Sequence, residues 1–446
     1  MRPNVNQTNP KASTVVIRPK DRDAVIQSLR AGVVPRAGQH LVQVGRAHEI
    51  QALLADIDRV ADGGACFRLI CGEYGAGKTF FLNLIRSVAL EKKMVVATAD
   101  LNPDRRLYSS AGHARSLFAE LMRNIATRAK PEGGAMSSLV ERFVGNAMTE
   151  AKASGAPVEG LIRERLDQLT ELTNGYDFAD VIAAYWRGFN EGDETLKAAA
   201  VRWLRGEYAT KTDARGALGV RTIIDDASFY DQLKLMARFT RLAGYAGLFV
   251  SLDEMVNLYK MSHSQSRSAN YEQILRILND ALQGNAVGLG ILLGGTPEFL
   301  LDTRRGLYSY PALQSRLAQN SFAGDGLVDM SGPVIRLASL TPEDFYVLLQ
   351  KIRHVYAGGD SARYLVPDHG IEAFMDHCAK RVGESYFRTP RTTITAFINL
   401  LAVLDQNSDA QWAQLLGTVD LAPDSGGAAD LEVEAEGDDE LKSFRV

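Results

Sequence analysis

A glycine-rich stretch carries the clearest chemical pattern in the chain. Residues 72–79 read GEYGAGKT and fit GxxxxGK[ST]. Glycines in such a loop let backbone N–H groups face phosphate oxygens, and the helix that follows adds positive potential. Lys78 would then reach the β- and γ-phosphates of a nucleotide, and the Thr79 hydroxyl would hold Mg²⁺. The residues predicted to bind the nucleotide here are Gly72, Glu73, Tyr74, Gly75, Ala76, Gly77, Lys78, Thr79 and Phe80.

A second pattern is an apolar run that ends in two acids, LFVSLDE at residues 248–254. The run predicts a buried strand, and acids at its end are typical of a Walker B motif. Asp253 would organise the Mg²⁺ shell, while Glu254 would orient and polarise the water that attacks the γ-phosphate. Together with the glycine-rich loop, this pattern predicts hydrolysis of ATP as well as binding.

The elements that must position these residues alternate between strands and helices. Residues 67–71 predict a buried strand before the glycine-rich loop, 79–91 a helix after it, and 94–99 a second strand. Strand, loop, helix and strand in this order form the βαβ unit of a parallel sheet. Further strands are predicted at 41–44, 247–252, 289–293 and 334–338, and further helices at 19–30 and 47–61.

Two long helical stretches accompany this α/β core. Residues 107–240 have an almost entirely helical pattern, and Thr341 and Pro342 predict the start of a helical region that runs to about residue 415. The predicted organisation is a flexible arm (1–18), an α/β core (19–106 and 241–340), a helical insertion (107–240), a C-terminal helical domain (341–420) and an acidic disordered tail (421–446).

Composition excludes several classes of protein. The chain has 446 residues, of which 46% are hydrophobic and 23% charged, which is typical of a globular protein with a large core. No apolar run approaches the ~18 residues of a membrane span, and the first residues lack the apolar segment of a secretory signal. The three cysteines form no CxxC pair, so we expect buried thiols in a reducing cytoplasm.

The charge is distributed unevenly. The whole chain carries −4, and residues 421–446 hold eight acids against two bases, so residues 1–420 are left with +2. A nearly neutral body neither demands nor excludes binding to nucleic acid.

Several weaker patterns resemble the AAA+ ATPases, in particular their origin-recognition-like and STAND relatives. Gly45 and Arg46 begin a stretch that looks like the GRxxE box near the adenine in those ATPases. Thr296 follows a predicted strand, as sensor 1 does, and Arg391 in RTPR resembles sensor 2, which contacts the γ-phosphate. Arg316 lies in a segment that resembles the one delivering an arginine finger to the neighbouring subunit, with Arg304 and Arg305 as alternatives.

This resemblance implies an α/β fold. It implies an AAA+ P-loop NTPase core with a parallel sheet and flanking helices, a helical insertion and a C-terminal helical lid. A winged-helix-like unit around 365–415 is an open alternative for part of the lid, although the pattern there lacks clear wing strands.

Longer stretches narrow the resemblance to one family. They resemble the bacterial BREX system ATP-binding proteins of the BrxD type over most of 20–415. The stretches are NLYK (257–260), NYEQILRILNDALQGN (270–285), GGTPEFLLDTRRGLYSYPALQSRL (294–317) and YFRTPRTTITAFINLLAVL (386–404).

The family resemblance implies a cytoplasmic ATPase of an anti-phage defence system that uses ATP and Mg²⁺. A homo-oligomer is expected, with active sites completed between subunits, and other defence-system proteins are expected as partners. The first function hypothesis is a motor or loader acting on double-stranded DNA, since the resemblance itself does not say what the ATPase moves. The alternative is a slow nucleotide-gated switch that assembles protein partners without acting on DNA.

Two features of the insertion allow two interpretations each. Residues 212–220 read like the middle of a helix-turn-helix whose recognition helix would begin at 221–224, but Asp225 and Asp226 would then oppose DNA. Helical packing is the other interpretation. A group of aromatic residues is predicted to form the core of the insertion and not a base-stacking platform: Phe178, Tyr185, Trp186, Phe189 and Trp203.

Two further segments also remain open. The serine-rich residues 262–268, with His263 and Arg267, are predicted as a loop that either contacts a substrate or only connects two elements. The tail 421–446 is either a solubilising end or, through its last residues 441–446, a docking segment for a partner.

Overall fold

A computed structural model describes residues 17–322, 329–382 and 390–416. Most of the predicted flexible arm and the whole of the predicted acidic tail lie outside these described residues. In the part of the chain that is described, no helix is long and apolar enough to span a bilayer.

Five strands form one parallel sheet, which confirms the predicted α/β core. Their order across the sheet is β2-β3-β4-β1-β5, and each neighbouring pair is parallel, so all carboxyl ends lie at one edge. The central strands are buried along their whole length, because they are runs of apolar residues covered on both faces. The strands are β1 (Cys66–Cys71), β2 (Val95–Asp100), β3 (Leu248–Asp253), β4 (Leu289–Gly295) and β5 (Val334–Arg336).

Eighteen α-helices occur in the described residues. They include the predicted helix after the glycine-rich loop and the helical regions between β2 and β3 and after β5. The helices are α1 (Pro19–Arg30), α2 (Ala47–Ala61), α3 (Lys78–Glu91), α4 (His113–Arg123), α5 (Met136–Ser154), α6 (Val158–Leu166), α7 (Gly175–Glu191), α8 (Glu194–Leu204), α9 (Lys211–Leu218), α10 (Phe229–Leu242), α11 (Val256–Tyr259), α12 (Ser264–Gln283), α13 (Pro297–Leu301), α14 (Pro311–Leu317), α15 (Pro342–Tyr356), α16 (Asp368–Val382), α17 (Pro390–Gln406) and α18 (Trp412–Leu416).

The chain divides into two compact units. Unit 1 comprises the described parts of Met1–Gly45 and Ala338–Asp430 together with Tyr74–Phe80, and unit 2 comprises those of Arg46–Glu73 and Phe81–Leu337. Unit 2 therefore contains the sheet and helices α4 to α10, and unit 1 contains α1 and α15 to α18.

The apolar core of unit 1 lies between α1, α15, α16 and α17. Phe374 and Phe397 are buried with their ring centroids 5.2 Å apart. Helix α15 begins with a capping box, in which the Thr341 hydroxyl accepts the N–H of Asp344 at 3.1 Å and the Asp344 carboxylate accepts the N–H of Thr341. The described residues of this region form helices and no strand, so a winged-helix-like unit would lack its wing there.

The helices between β2 and β3 share an apolar core with one face of the sheet. Phe178 lies at its centre, with its ring centroid 5.1 Å from that of Phe239 and 6.3 Å from that of Trp203. The prediction that the aromatic residues of the insertion form its core is confirmed for Phe178, Tyr185 and Trp203, which are buried. It is wrong for Phe189, which is 45% exposed and stacks on the half-buried Trp186.

Two local predictions are wrong, and one of the two interpretations left open for residues 212–224 is excluded. The strand predicted at 41–44 is instead the end of a 3₁₀ turn (Gln39–Leu41) followed by irregular backbone, because Gly38 and Gly45 on either side have φ values of 72° and 61° that turn the chain. The serine-rich segment is helical from Ser264. Residues 221–224 start no recognition helix, because the Asp177 carboxylate accepts the N–H groups of Arg221 and Thr222 and holds them in a loop.

A buried ion pair beneath β1 was missed from the sequence. Arg68 Nε lies 2.6 Å from Asp56 Oδ2, and both side chains are almost fully buried. Arg68 also donates to the carbonyl oxygens of Met330 and Gly332, and Arg59 Nη1 lies 3.1 Å from Asp56 Oδ1. The charges of the pair are therefore satisfied from several sides.

We expect Asp56→Ala to lower the free energy of unfolding by about 3–5 kcal/mol, because it leaves the Arg68 charge buried without its partner. The matched control is Asp58→Ala on the same helix, which removes an exposed pair with Lys92 and should cost at most about 1 kcal/mol. Urea unfolding followed by circular dichroism measures both variants. Equal losses in the free energy of unfolding would show that the buried position of the Asp56–Arg68 pair adds nothing to the cost of breaking it.

Candidate functional site

The glycine-rich loop lies between a buried strand and a helix, as the sequence predicted. β1 ends at Cys71 and α3 begins at Lys78. Gly75 and Gly77 have φ values of 79° and 78°, a left-handed conformation that glycine adopts without a steric cost. The Nζ atom of Lys78 lies 5.4 Å from the centroid of the Tyr74 ring, which places a cation over an aromatic face. The strand–loop–helix arrangement that phosphate binding requires is therefore present.

In unit 2 the predicted polar residues collect at the carboxyl edge of the sheet. β3 and β1 lie on either side of β4, so Asp253, Thr296 and Gly72 come at the ends of three adjacent strands. The Asp253 side chain is 8% exposed, and its Oδ1 accepts the N–H of Glu254 at 2.9 Å. Polar groups gathered at this edge are where α/β sheets bind ligands.

Gly294 in β4 makes room for the Asp253 carboxylate. A Cβ atom added at Gly294 would collide with Oδ1 of Asp253 and would lie 3.0 Å from Cδ1 of Leu82. The strand predicted from the sequence ended at residue 293, so Gly294 was not singled out. The contact is between neighbouring strands, and finding it from the sequence would require the strand order, which places β3 beside β4.

We expect Gly294→Ala to lower ATP turnover about 100-fold, because displacing a catalytic group by about 1 Å has an effect of that size. Gly290→Ala in the same strand is the matched control, since its Cβ would collide with the Phe249 ring instead. Both changes should lower the melting temperature. Steady-state rates below the melting temperatures separate them, and equal rates in the two variants would contradict a role for Gly294 in placing Asp253.

Glu254 has an unusual backbone conformation. Its φ value is 58°, in the left-handed region that costs a residue with a side chain about 1–2 kcal/mol. The conformation is held by Asn257, whose N–H and Nδ2 donate to the Glu254 carbonyl oxygen at 3.0 and 3.2 Å. Asn257 Nδ2 also donates to the carbonyl oxygen of Leu101, which follows β2. Strain of this kind clusters at functional sites.

A second acid, Asp100, lies beside Asp253 at the same edge. The two residues are paired in the β2–β3 register. Burial and the Asp253 charge raise the pKa of Asp100 above its usual value, while Arg105 opposes the shift. Carboxylate and hydroxyl oxygens are the ligands that Mg²⁺ prefers. The Asp253 carboxylate of unit 2 and the Thr79 hydroxyl of unit 1 are each, taken separately, donors of that kind.

Thr296 and the three candidate finger arginines differ in their surroundings. Thr296 is 2% exposed, and its hydroxyl caps α13 by accepting the N–H of Phe299 at 3.4 Å. Arg305 is held inside the unit, because its Nη2 donates to the carbonyl oxygens of Tyr259 and Met261 at 3.3 and 3.2 Å. Arg304 and Arg316 are exposed. Arg304 and Arg316 thus remain suited to a contact with another subunit.

The predicted residues outside the sheet edge are each packed locally. In unit 1, a Cβ at Gly45 would lie 3.3 Å from Oδ1 of Asp344, so this glycine packs closely against the first turn of α15. In unit 2, Arg46 has a φ value of 62° and its guanidinium carbon lies 5.8 Å from the centroid of the Phe81 ring. Each of the first two residues of the GRxxE stretch, Gly45 and Arg46, therefore has a close contact of its own.

Arg391, the candidate sensor 2, is exposed and packs its aliphatic stem on Gly32. A Cβ added at Gly32 would lie 3.2 Å from Cδ and 3.3 Å from Cγ of Arg391. Gly32 lies just after α1, which packs on α17, and its φ value is 70°. Sequence reasoning did not single out Gly32.

We expect Gly32→Ala to lower ATP turnover about 10-fold in the wild-type background and to have no further effect on Arg391→Ala, because residues in contact are coupled. Gly38→Ala is the matched control, since Gly38 has a φ value of 72° and a Cβ there would meet Val25 instead. Steady-state kinetics of the wild type, the two single variants and the double variant give the coupling. Additive losses would contradict an effect through Arg391.

Comparison with known protein families finds a match to this chain. A family model described as BREX system ATP-binding protein BrxC/D matches residues 17–420. No curated protein sequence matches the chain. The matched range includes every residue discussed in this section.

Proposed function

The chain belongs to the BREX system ATP-binding protein BrxC/D family, and from that premise we propose that it hydrolyses ATP with Mg²⁺. Family membership implies an ATP-binding component of a phage-defence system. Hydrolysis, an oligomeric state and action on double-stranded DNA go beyond family membership and form the proposal. The observation that carries it is the strained backbone of Glu254 directly after the buried Asp253.

The proposed roles follow from the chemistry of each side chain. The N–H groups of the 72–79 loop and Lys78 bind the phosphates, and residues 45–46 contribute to the nucleotide site near the adenine. Thr79 and Asp253 hold Mg²⁺, which neutralises charge on the β- and γ-phosphates when bound. The strained backbone at position 254 supports a catalytic use of its carboxylate, because strain of this kind clusters at functional sites.

In the hydrolytic step the Glu254 carboxylate accepts a proton from water as the water oxygen bonds to the γ-phosphorus. The bond between the γ-phosphorus and the bridging oxygen breaks, and ADP leaves. Arg391 and the Thr296 side chain contact the γ-phosphate in this proposal. An exposed arginine from a neighbouring subunit, Arg316 or Arg304, stabilises the developing charge, so the proposed active form is a homo-oligomer.

The proposed work of this ATPase is to move or load double-stranded DNA together with other proteins of the defence system. The test is the steady-state ATPase rate with and without duplex DNA, at low salt and at about 200 mM, where phosphate-driven binding weakens. We expect DNA to stimulate turnover at low salt and less so at high salt, and EDTA to abolish turnover.

Each other outcome has a definite meaning. Turnover that ignores DNA at both salt concentrations would contradict the motor or loader and leave a nucleotide-gated switch. Absence of turnover with bound ATP and Mg²⁺, with or without DNA, would contradict hydrolysis.

A further inference from the structure

Helix α9 forms an exposed basic surface on the helical part of unit 2. It buries a single residue, Ala214, against its surroundings, and it packs next to α8. Residues 202–221 contain five basic and two acidic residues, for a net charge of +3. We call the exposed cations Arg202, Lys211, Arg215 and Arg221 the α9 basic surface.

The cations of α9 lie on one flank of the helix. Lys211 and Arg215 are four residues apart and therefore share a face. Asp213 lies on the other flank, and its carboxylate accepts a hydrogen bond from the Thr210 hydroxyl at 2.7 Å. The one acid of α9 is thus turned away from the two cations and is engaged in capping the helix.

The acids after α9, which seemed from the sequence to oppose DNA, are half-buried and hydrogen-bonded within the unit. Asp226 accepts the backbone N–H groups of Gly112 and Arg115 at 2.7 and 2.8 Å. Asp225 accepts the N–H and hydroxyl of Ser228 at 2.9 and 2.7 Å. Backbone and hydroxyl donors of the unit therefore hydrogen-bond these two carboxylates. The exposed charged side chains of residues 202–226 are then mostly cations.

The surface suits phosphates and not unstacked bases. Its two aromatic residues are buried, Trp203 at 1% and Tyr208 at 3% exposure, and Trp203 Nε1 donates to the carbonyl oxygen of Thr222 at 2.9 Å. Binding of single strands relies on exposed aromatic rings that stack on bases, and this surface offers none among its described residues. A Cβ at Gly216 or Gly219 would meet nothing within 4 Å, so a phosphate backbone can approach the helix closely.

We propose that the α9 basic surface contacts the phosphate backbone of duplex DNA. This inference rests on the proposed action on DNA and adds to it the place of contact. Duplex DNA is favoured because its regular array of negative charges complements a surface that offers cations and no exposed aromatic ring for bases. The contact is independent of sequence, since phosphates carry no base information.

The test is the binding of a labelled duplex of mixed sequence to the full chain, followed by fluorescence anisotropy between about 50 and 200 mM salt. The variant Lys211→Ala/Arg215→Ala/Arg221→Ala should bind at least ~10-fold more weakly at the low salt concentration. The slope of log affinity against log salt should fall in magnitude by about 2 to 3, one for each phosphate contact that is lost.

The matched control is Lys130→Ala/Lys152→Ala/Arg187→Ala, which removes the same charge from other exposed positions of unit 2. We expect it to keep the wild-type affinity and salt slope. The basal ATPase rate without DNA should be unchanged in both variants, and stimulation by DNA should be lost only in the first.

The outcomes separate this inference from the proposed function. Equal binding by the two variants, with a wild-type chain that binds DNA, would overturn the α9 basic surface alone. A wild-type chain that binds no duplex at low salt would overturn both. Preferential binding of single strands or RNA to the α9 basic surface would overturn the assignment of duplex DNA.

Discussion

Glu254→Gln should retain ATP binding and lose at least ~100-fold in turnover, because glutamine keeps the shape of the side chain but cannot accept the proton from water. Glu272→Gln on α12 is the control, since Glu272 is an exposed acid in the same unit and should turn over ATP at the wild-type rate. Steady-state phosphate release and equilibrium binding of a fluorescent ATP analogue measure the two quantities separately.

The same variant also reports on assembly. If ATP holds subunits together, Glu254→Gln should stay in its ATP-bound oligomer, which sedimentation analysis with and without ATP can detect. Wild-type turnover in this variant would remove Glu254 from the proposed mechanism, whatever the oligomeric state.

Lys78→Ala should abolish nucleotide binding, with affinity at least ~100-fold weaker, because a charge-assisted contact to the β- and γ-phosphates is lost. Lys92→Ala is the control, since this exposed lysine pairs only with Asp58 among the contacts described and lies just after the same helix. Isothermal titration with ATP compares the two. The melting temperature of each variant is measured first, so that loss of fold is distinguished from loss of the contact.

Unchanged ATP affinity of a folded Lys78→Ala variant would contradict the assignment of residues 72–79 as the phosphate-binding loop. Loss of turnover with unchanged ATP affinity would instead show that the Lys78 contact to the phosphates forms only in the transition state.

The core of the fold was predictable because its signals are local. β1 and β3 are predominantly apolar, with Arg68 and Ser251 as the polar residues inside them. The glycine-rich loop follows the first strand, and an acid pair ends the second. A buried strand of a parallel sheet needs only such a run, since helices cover both of its faces. The resemblance of longer stretches supplied the family, which the match over 17–420 confirms.

The wrong predictions have physical causes that lie outside the segment concerned. Residues 262–268 contain serines, which favour loops, yet α12 starts at Ser264. Buried Asn270 anchors this helix, since it accepts the N–H of Tyr108 at 2.9 Å and donates to the Ser266 carbonyl oxygen at 2.8 Å. A tertiary contact of this kind overrides local propensity.

Residues missed from the sequence share a different cause. The Asp56–Arg68 pair, Gly294 and Gly32 matter because of what lies opposite them in space. Neither periodicity nor motif spacing reports such neighbours. The sequence therefore named the candidate reacting groups, which stay predictions, while the residues packed against them emerged only from the structure.

The left-handed backbone of Glu254 has a consequence for engineering. Glycine, and to a lesser extent asparagine, would relax this position and make the protein more heat-resistant, because neither pays the full steric cost there. A laboratory selection for heat resistance alone would therefore favour replacing this acid. Such a selection would need a parallel screen for ATP turnover, or it would enrich robust but inactive chains.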